Sequence, residues 1–179
     1  MNSATQSAPS GIGYLLNRIS VLFAYVGGVV VAAIGIMSAV SIIGRATMSK
    51  PITGDFELVE IGTAIAGTLF LPYCQATGGH IVVDLFTLKA SERTRDWLDR
   101  FGSLLMAAMF LVVSWRAGIG SFGLKGTGES SMLLGFPTWI GYAGIVPGSF
   151  LAGVIALAQS LGINVMSQAP DTSAPGSGT

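Results

Sequence analysis

Cysteine and histidine are almost missing from this sequence. Cys74 and His80 are the only two such residues among 179. One cysteine cannot form a disulfide within the chain or a thiolate metal cluster, and we expect Cys74 to be a small core residue. His80 and Asp84 are one helical turn apart, but they lack the third partner that most catalytic sites have, so structural pairing or headgroup contact is favoured. The sequence therefore predicts no enzyme, no metal and no cofactor.

Charge is also scarce. Only 10% of the residues are charged, against about 25% in soluble domains, while 51% are hydrophobic. Nine Lys and Arg residues balance nine Asp and Glu residues, and no basic run or aromatic-flanked basic patch occurs. This composition excludes nucleic acid as a partner. It predicts an integral membrane protein surrounded by membrane lipids.

Long charge-poor stretches predict the fold. About 20 apolar residues cross roughly 30 Å of hydrocarbon as a helix. The predicted spans cover about residues 18–45, 56–78, 98–122 and 137–162. Between the second and third spans, residues 81–100 have apolar and charged sides, which predicts a short amphipathic interfacial helix with Trp97 at headgroup level. The fold class is therefore all-α, with four transmembrane helices and one interfacial helix.

The segments outside these helices differ in composition. Residues 118–135 are rich in glycine, which predicts a loop between the third and fourth spans. Residues 1–14 and 165–179 are rich in small and polar residues, which predicts two disordered tails around a membrane domain of residues 15–164.

The distribution of basic residues predicts the orientation. Short loops rich in Lys and Arg remain in the cytoplasm. Arg18 and the loop between the second and third spans lie on one side, and Arg45, Lys50 and Lys125 lie on the other. That loop carries Lys89, Arg93, Arg95 and Arg100. Because the basic excess is on the first side, we expect both termini in the cytoplasm and the loops around Lys50 and Glu129 outside.

Ionisable residues cluster at the span ends. Asp55 and Glu57 begin the second span, where carboxylates complement the positive end of a helix. Glu60 lies one turn deeper, where a charge is costly unless it meets a cation, and we expect Arg45, Lys50 or Arg116 as its partner.

Arg116 stands late in the third span. An arginine that snorkels to the interface is the favoured explanation, and a functional pair with Glu60 or Glu129 is the alternative. A transporter that works alone needs ionisable or discontinuous elements near the midplane, and this sequence offers few.

Small residues recur at helical spacing in two spans. Gly28 and Ala32 give the first span a smooth face, and Gly144, Gly148 and Ala152 give the fourth span another. Such faces let neighbouring helices approach closely. Packing within the chain is favoured over contact with another protein for the first span.

Several short motifs follow one another along the chain. They are Arg45, Pro51, Glu57-Leu58, the segment 79–84, Glu129-Ser130, Pro137-Thr138-Trp139, Tyr142 and Pro147-Gly148. In this order, over about residues 18–160, they resemble the small membrane subunit (DctQ-like) of the TRAP (tripartite ATP-independent periplasmic) transporter family. Glu57, His80 and Asp84 match motif positions, which by itself assigns them no role in transport.

The resemblance implies a function for which this chain needs no catalytic or transport site of its own. In that family a large membrane subunit carries the substrate and sodium sites, and a periplasmic substrate-binding protein delivers the substrate. The small subunit is then a non-catalytic scaffold in the bacterial inner membrane for sodium-driven symport of an organic acid.

The resemblance also implies roles for particular residues. The loops 47–55 and 122–136 become candidate docking surfaces for the binding protein, and the smooth faces become candidate packing surfaces for the large subunit. The docking candidates are Lys50, Asp55, Lys125 and Glu129, and the candidate structural contacts are Arg45, Glu57, Glu60, His80, Asp84 and Arg116. The alternatives are a self-contained homo-oligomeric transporter or channel, and an assembly or regulatory membrane protein.

Overall fold

Four long helices make up the fold. The computed structural model describes residues 11–48, 52–77, 92–163 and 165. The helices are α1 (Gly11–Met48), α2 (Asp55–Ala76), α3 (Glu92–Thr127) and α4 (Trp139–Ser160), and these residues contain no β-strand. Each helix has a stretch long and apolar enough to cross a membrane. The prediction of an all-α, multi-pass membrane protein is therefore confirmed.

Two of the helices are longer than a span requires. α1 has 38 residues and α3 has 36, so at 1.5 Å per residue each is more than about 50 Å long. α2 and α4 have 22 residues each, about 33 Å, which matches the hydrocarbon layer closely. α1 and α3 must therefore tilt or protrude from the membrane.

α3 extends beyond the predicted third span at both ends. Residues 92–100, predicted as part of an interfacial helix, continue directly into α3, and residues 81–91 lie outside the described residues. At the other end, the helix continues through the glycine-rich segment to Thr127, so the first half of the predicted loop is helical. Gly128 then adopts a left-handed φ of 70° and donates its N–H to the Leu124 carbonyl at 3.1 Å, which ends the helix. Glycines alone did not break α3, because the cost of each is only about 1 kcal/mol.

The helices pack as a row in the order α1, α2, α4, α3. α2 packs against α1 on one side and against α4 on the other, and α3 packs against α4. α1 makes only a small contact with α4. The two edge helices consequently leave large apolar faces for lipid.

Small residues of α4 allow its close approach to α2. A Cβ added at Gly144 would lie 2.7 Å from Ile65, and one at Gly148 would clash with the backbone carbonyl of Thr68. Ala152 is fully buried on the same helix. The smooth face of the fourth span is therefore occupied within this chain.

The smooth face of α1, unlike that of α4, does not pack against another helix in the described part of the chain. Ala32 and Gly28 are exposed, and a Cβ at Gly28 would meet nothing within 4 Å. The neighbouring Gly27 makes the close approach instead, since its added Cβ would lie 3.3 Å from Leu69 and Phe70 of α2.

A buried cluster closes the end of the row at which α2 and α4 finish. Ala76, Ile155, Ala158 and Val165 are buried there, with Leu16, Leu151 and Ile163 packed around them. α4 ends in a Schellman turn, in which Gly162 (φ 80°) donates to Gln159 O at 2.9 Å and Ile163 donates to Ala158 O at 3.0 Å. This turn directs the chain after α4 back onto the cluster. We call this end, which also holds Gln75, the Gln75 end, and the opposite end the Glu57 end.

Candidate functional site

Most of the charged candidate residues meet at the Glu57 end. Here α1 finishes, α2 begins, and the loop of residues 128–138 joins α3 to α4. Asp55, Glu57 and Lys125 all make side-chain contacts in this region. The site is therefore built by two connections of the chain rather than by one helix.

Asp55 links the end of α1 to the start of α2. Its Oδ2 accepts hydrogen bonds from Ser41 Oγ at 2.6 Å and from an Arg45 guanidinium nitrogen at 3.0 Å. The buried Ser41 Oγ also accepts the N–H of Ile52 in the connecting turn at 3.3 Å. Arg45 additionally lies 5.6 Å from the centre of the Phe56 ring. Asp55 thus has a specific tertiary role beyond complementing the helix dipole.

Glu57 binds the loop between α3 and α4. Its Oε2 accepts from Ser131 Oγ at 2.7 Å and from the N–H of Leu134 at 3.1 Å, and its Oε1 accepts from the N–H of Leu133 at 3.0 Å. An ionised carboxylate only accepts hydrogen bonds, so three donors from one loop match its chemistry. Ser131 Oγ also accepts the N–H of Phe136 at 3.2 Å, which braces the loop from inside.

The loop is a small hairpin with an apolar tip. Ser130 and Pro137 form an antiparallel bridge, and Ser131 N–H donates to Phe136 O at 2.8 Å. Three apolar residues occupy the tip, and they are Met132, Leu133 and Leu134, with Met132 99% exposed. Such exposed apolar side chains are typical of a contact surface.

Gly54 makes room for this tip. It adopts a left-handed φ of 79°, and a Cβ added there would clash with the side chain of Leu134. Both its conformation and its lack of a side chain are therefore needed. The contact of Leu134 with Gly54 was not predicted from the sequence. Three apolar residues within a polar loop were the available signal that the loop makes such a contact.

Lys125 and Glu129 flank the same loop. The Lys125 ammonium lies 5.3 Å from the centre of the Trp139 ring, and Ser121 Oγ donates to Trp139 O at 3.1 Å. The side chain of Glu129 is exposed, while its carbonyl accepts the N–H of Thr138 at 3.2 Å. Lys125 therefore helps join the end of α3 to the start of α4, and the Glu129 carboxylate stays accessible.

Glu60 and Arg116 are not brought together. Both are exposed, and neither forms an ion pair with the described side chains of residues 11–47, 52–77 and 97–163. Arg45, an expected partner of Glu60, pairs with Asp55 instead. Arg116 lies eleven residues before the last residue of α3, so it is not at a helix end. Lys50, His80 and Asp84 lie outside the described residues.

The chemistry of the site is structural. In the part of the chain that the structure describes, no group of three His, Cys, Asp or Glu side chains is arranged to hold a metal ion. The carboxylates of Asp55 and Glu57 are already engaged by hydroxyl, guanidinium and backbone donors. The arrangement therefore fixes two connections of the chain in place and presents the hairpin tip outward.

Comparison with protein families identifies the chain. The family model described as "Tripartite ATP-independent periplasmic transporters, DctQ component" matches residues 34–163, which include the second part of α1 and all of α2, α3 and α4. No curated protein and no solved structure matches. The match covers most of the chain and confirms the resemblance drawn from the short motifs. The protein thus belongs to the DctQ family and is a small component of a TRAP transporter.

Proposed function

We propose that this chain is the non-catalytic scaffold of its transporter. The observation that carries the proposal is the binding of Glu57 to Ser131, Leu133 and Leu134, which uses a carboxylate of α2 to hold a loop. A carboxylate engaged in this way is unsuited to bind and release a substrate. The large membrane subunit would then carry the substrate and sodium sites.

The Glu57 end is the proposed docking region for the substrate-binding protein. It would face the periplasm, with both termini in the cytoplasm and the four helices in the inner membrane, as the excess of basic residues in the opposite loop favours. The exposed Glu129 and the nearby Lys125 would contribute charges at the rim of this region, and Lys50 is a further candidate from the sequence between α1 and α2. Rim charges chiefly alter association rates, which suits a partner that binds and leaves in each cycle. Asp55 would act through Arg45 and Ser41 rather than by direct contact.

Sodium-driven uptake of an organic acid is the proposed overall reaction. Its support is membership of the DctQ family and the likeness on which the sequence expectation rested. The substrate itself would be chosen by residues on the other two proteins.

Reconstitution tests this proposal. Uptake of radiolabelled dicarboxylates, keto acids and sugar acids is measured in proteoliposomes, with and without a sodium gradient. We expect uptake only when this chain, the large subunit and the binding protein are all present. Uptake by this chain alone would contradict the scaffold and favour a self-contained transporter, with Glu60 and Arg116 as the residues to examine.

A further inference from the structure

The outward faces of α1, α2 and α3 differ in the side chains that they expose. α1 exposes large apolar residues along its length, among them Tyr25, Val29, Ile36 and Val40. α3 does the same with Leu105, Met109, Val112, Trp115 and Ile119. Large apolar side chains of this kind suit a surface in contact with acyl chains.

The outward face of α2 has a different character. Between Phe56 and Tyr73 no large apolar residue of α2 is exposed. The exposed residues in this stretch are Glu60, Thr63, Ala64 and Gly67. They recur at helical spacing, so they form one narrow face, which we call the open face of α2. A Cβ at Gly67 would meet nothing within 4 Å, so this face is not covered by the part of the chain that the structure describes.

Small and polar residues are typical of helix contacts within membranes. They let two backbones approach closely, and hydroxyl groups such as that of Thr63 add hydrogen bonds between helices. Lipid gains little from such a face, since it offers few side chains to pack against. The lack of large apolar side chains therefore distinguishes this face from that of α3, whereas α1 exposes small residues, such as Gly28 and Ala32, among its large ones.

Glu60 provides a second, electrostatic argument. It is exposed on this face, one turn inside the start of α2, and it lacks an ion-pair partner among the described residues. Asp55 and Glu57, the other two carboxylates of the same helix, are both engaged. An ionised carboxylate in a span is costly without a cation or hydrogen-bond donors, so Glu60 requires a partner other than the described side chains.

We infer that the open face of α2 packs against a transmembrane helix of the large membrane subunit, which presents a cation or a hydrogen-bond donor to Glu60. The inference rests on the proposed function in that it takes the large subunit as partner. It adds which helix of the small subunit makes the contact. The smooth face of α1, at Gly28 and Ala32, is the rival surface.

Two matched substitutions compare these surfaces. Gly67→Leu and Gly28→Leu each place a bulky side chain at an exposed position where an added Cβ meets nothing within 4 Å, so the isolated chain can accommodate both. The measurement is the amount of large subunit that co-purifies with the tagged small subunit in a mild detergent. We expect Gly67→Leu to lower it by about tenfold, because a leucine blocks close backbone approach, and Gly28→Leu to leave it within about twofold. Size-exclusion chromatography of each variant alone verifies folding.

Charge variants test the role of Glu60 by the same measurement. Glu60→Gln keeps the shape and removes the charge, and Glu60→Lys reverses it. If the partner is a cation, we expect the amount of co-purified large subunit to fall from wild type to Glu60→Gln and further to Glu60→Lys. If the partner is a neutral donor, Glu60→Gln should retain the large subunit and Glu60→Lys should lose it. Glu129→Lys, also exposed but in the loop beyond α3, is the control and should retain the large subunit.

The outcomes separate this inference from the function on which it rests. Wild-type chain that fails to retain the large subunit would contradict the proposed function itself. Wild-type retention together with undiminished retention by Gly67→Leu and Glu60→Lys would overturn the open face of α2 as the contact. Loss by Gly28→Leu alone would assign the contact to α1.

Discussion

The two ends of the helix row hold α2 in place by different chemistry. At the Glu57 end, charged side chains bind loops and turns that are partly exposed. At the Gln75 end, neutral groups join α2 to α4: the side-chain Nε2 of Gln75 donates to Gln159 Oε1 at 2.7 Å, and Gln159 Nε2 donates to the backbone carbonyl of Gln75 at 2.8 Å. Gln75 is only 3% exposed. At each end, therefore, the hydrogen-bonding groups of α2 find suitable donors or acceptors on neighbouring parts of the chain.

The difference follows from what each group can do. A carboxylate accepts but does not donate, so Asp55 and Glu57 bind donors, chiefly from α1 and from the loop between α3 and α4, and the positive end of the helix favours their charge. A side-chain amide both donates and accepts, so Gln159 can accept from the side chain of Gln75 and donate to its backbone carbonyl. The Glu57 end is thus suited to organising a surface, and the Gln75 end is suited to joining two helices.

The largest loss of stability is expected from a substitution that forces α2 and α4 apart midway along their contact, between the Glu57 end and the Gln75 end. In Gly148→Ala, the new Cβ clashes with the carbonyl of Thr68, and a backbone atom cannot move aside as a side chain can. We expect a loss of stability on the order of 3 kcal/mol, at the upper end for overpacking, and weakening of both ends together. Thermal unfolding of the detergent-extracted protein measures it.

Gly28→Ala is the matched control for that substitution. Its Cβ meets nothing within 4 Å, so the change should be neutral or stabilise the helix by about 0.5–1 kcal/mol. Equal stability of the two variants would show that Gly148 is not a close contact.

An intermediate effect is expected at the Gln75 end. Gln75→Leu removes the donor to Gln159 Oε1 and keeps the backbone carbonyl that Gln159 Nε2 binds, and we expect a loss of about 1–2 kcal/mol. Gln159→Leu should cost a similar amount. The double variant should cost less than the sum of the two, because two leucines leave no unpaired amide, and unfolding of all four proteins measures this coupling. Strictly additive losses would mean that the two amides do not act as a pair.

The sequence predicts the helices far better than it predicts these contacts. The four spans follow from uninterrupted apolar stretches, which is a local property of the chain. The length of α3 did not follow, because residues 118–127 read as a glycine-rich loop although α4 packs alongside and supports a helix there. The smooth face of the fourth span at Gly144 and Gly148 was visible in the sequence, but the helix that it meets was not.

The contacts of the site were harder to predict for a physical reason. Asp55 and Arg45 are ten residues apart across one turn, so their pairing lies within reach of local reasoning. Glu57 and Leu133 are 76 positions apart, and the donors are backbone groups, which every loop offers equally. Spacing cannot select one loop among several when the donor is the backbone. Glu57 was therefore expected only to complement the helix dipole and to make a structural contact of unknown partner.

A substitution at Glu57 is expected to have the smallest effect on overall stability, although its effect on the loop between α3 and α4 is large. In Glu57→Ala the loop loses three hydrogen-bond acceptor contacts, while the packing of α2 on α1 and α4 is unchanged. We expect the unfolding temperature to shift little, and hydrogen exchange at the amides of Leu133 and Leu134 to accelerate on the order of tenfold, because these N–H groups lose their acceptor.

Glu129→Ala, which removes a nearby exposed carboxylate, is the control and should leave both exchange rates unchanged. Unaltered exchange in Glu57→Ala would mean that the hairpin holds its own shape, and the carboxylate would then be free for a partner. Faster exchange without global unfolding would establish that the Glu57 end can loosen while the Gln75 end stays closed.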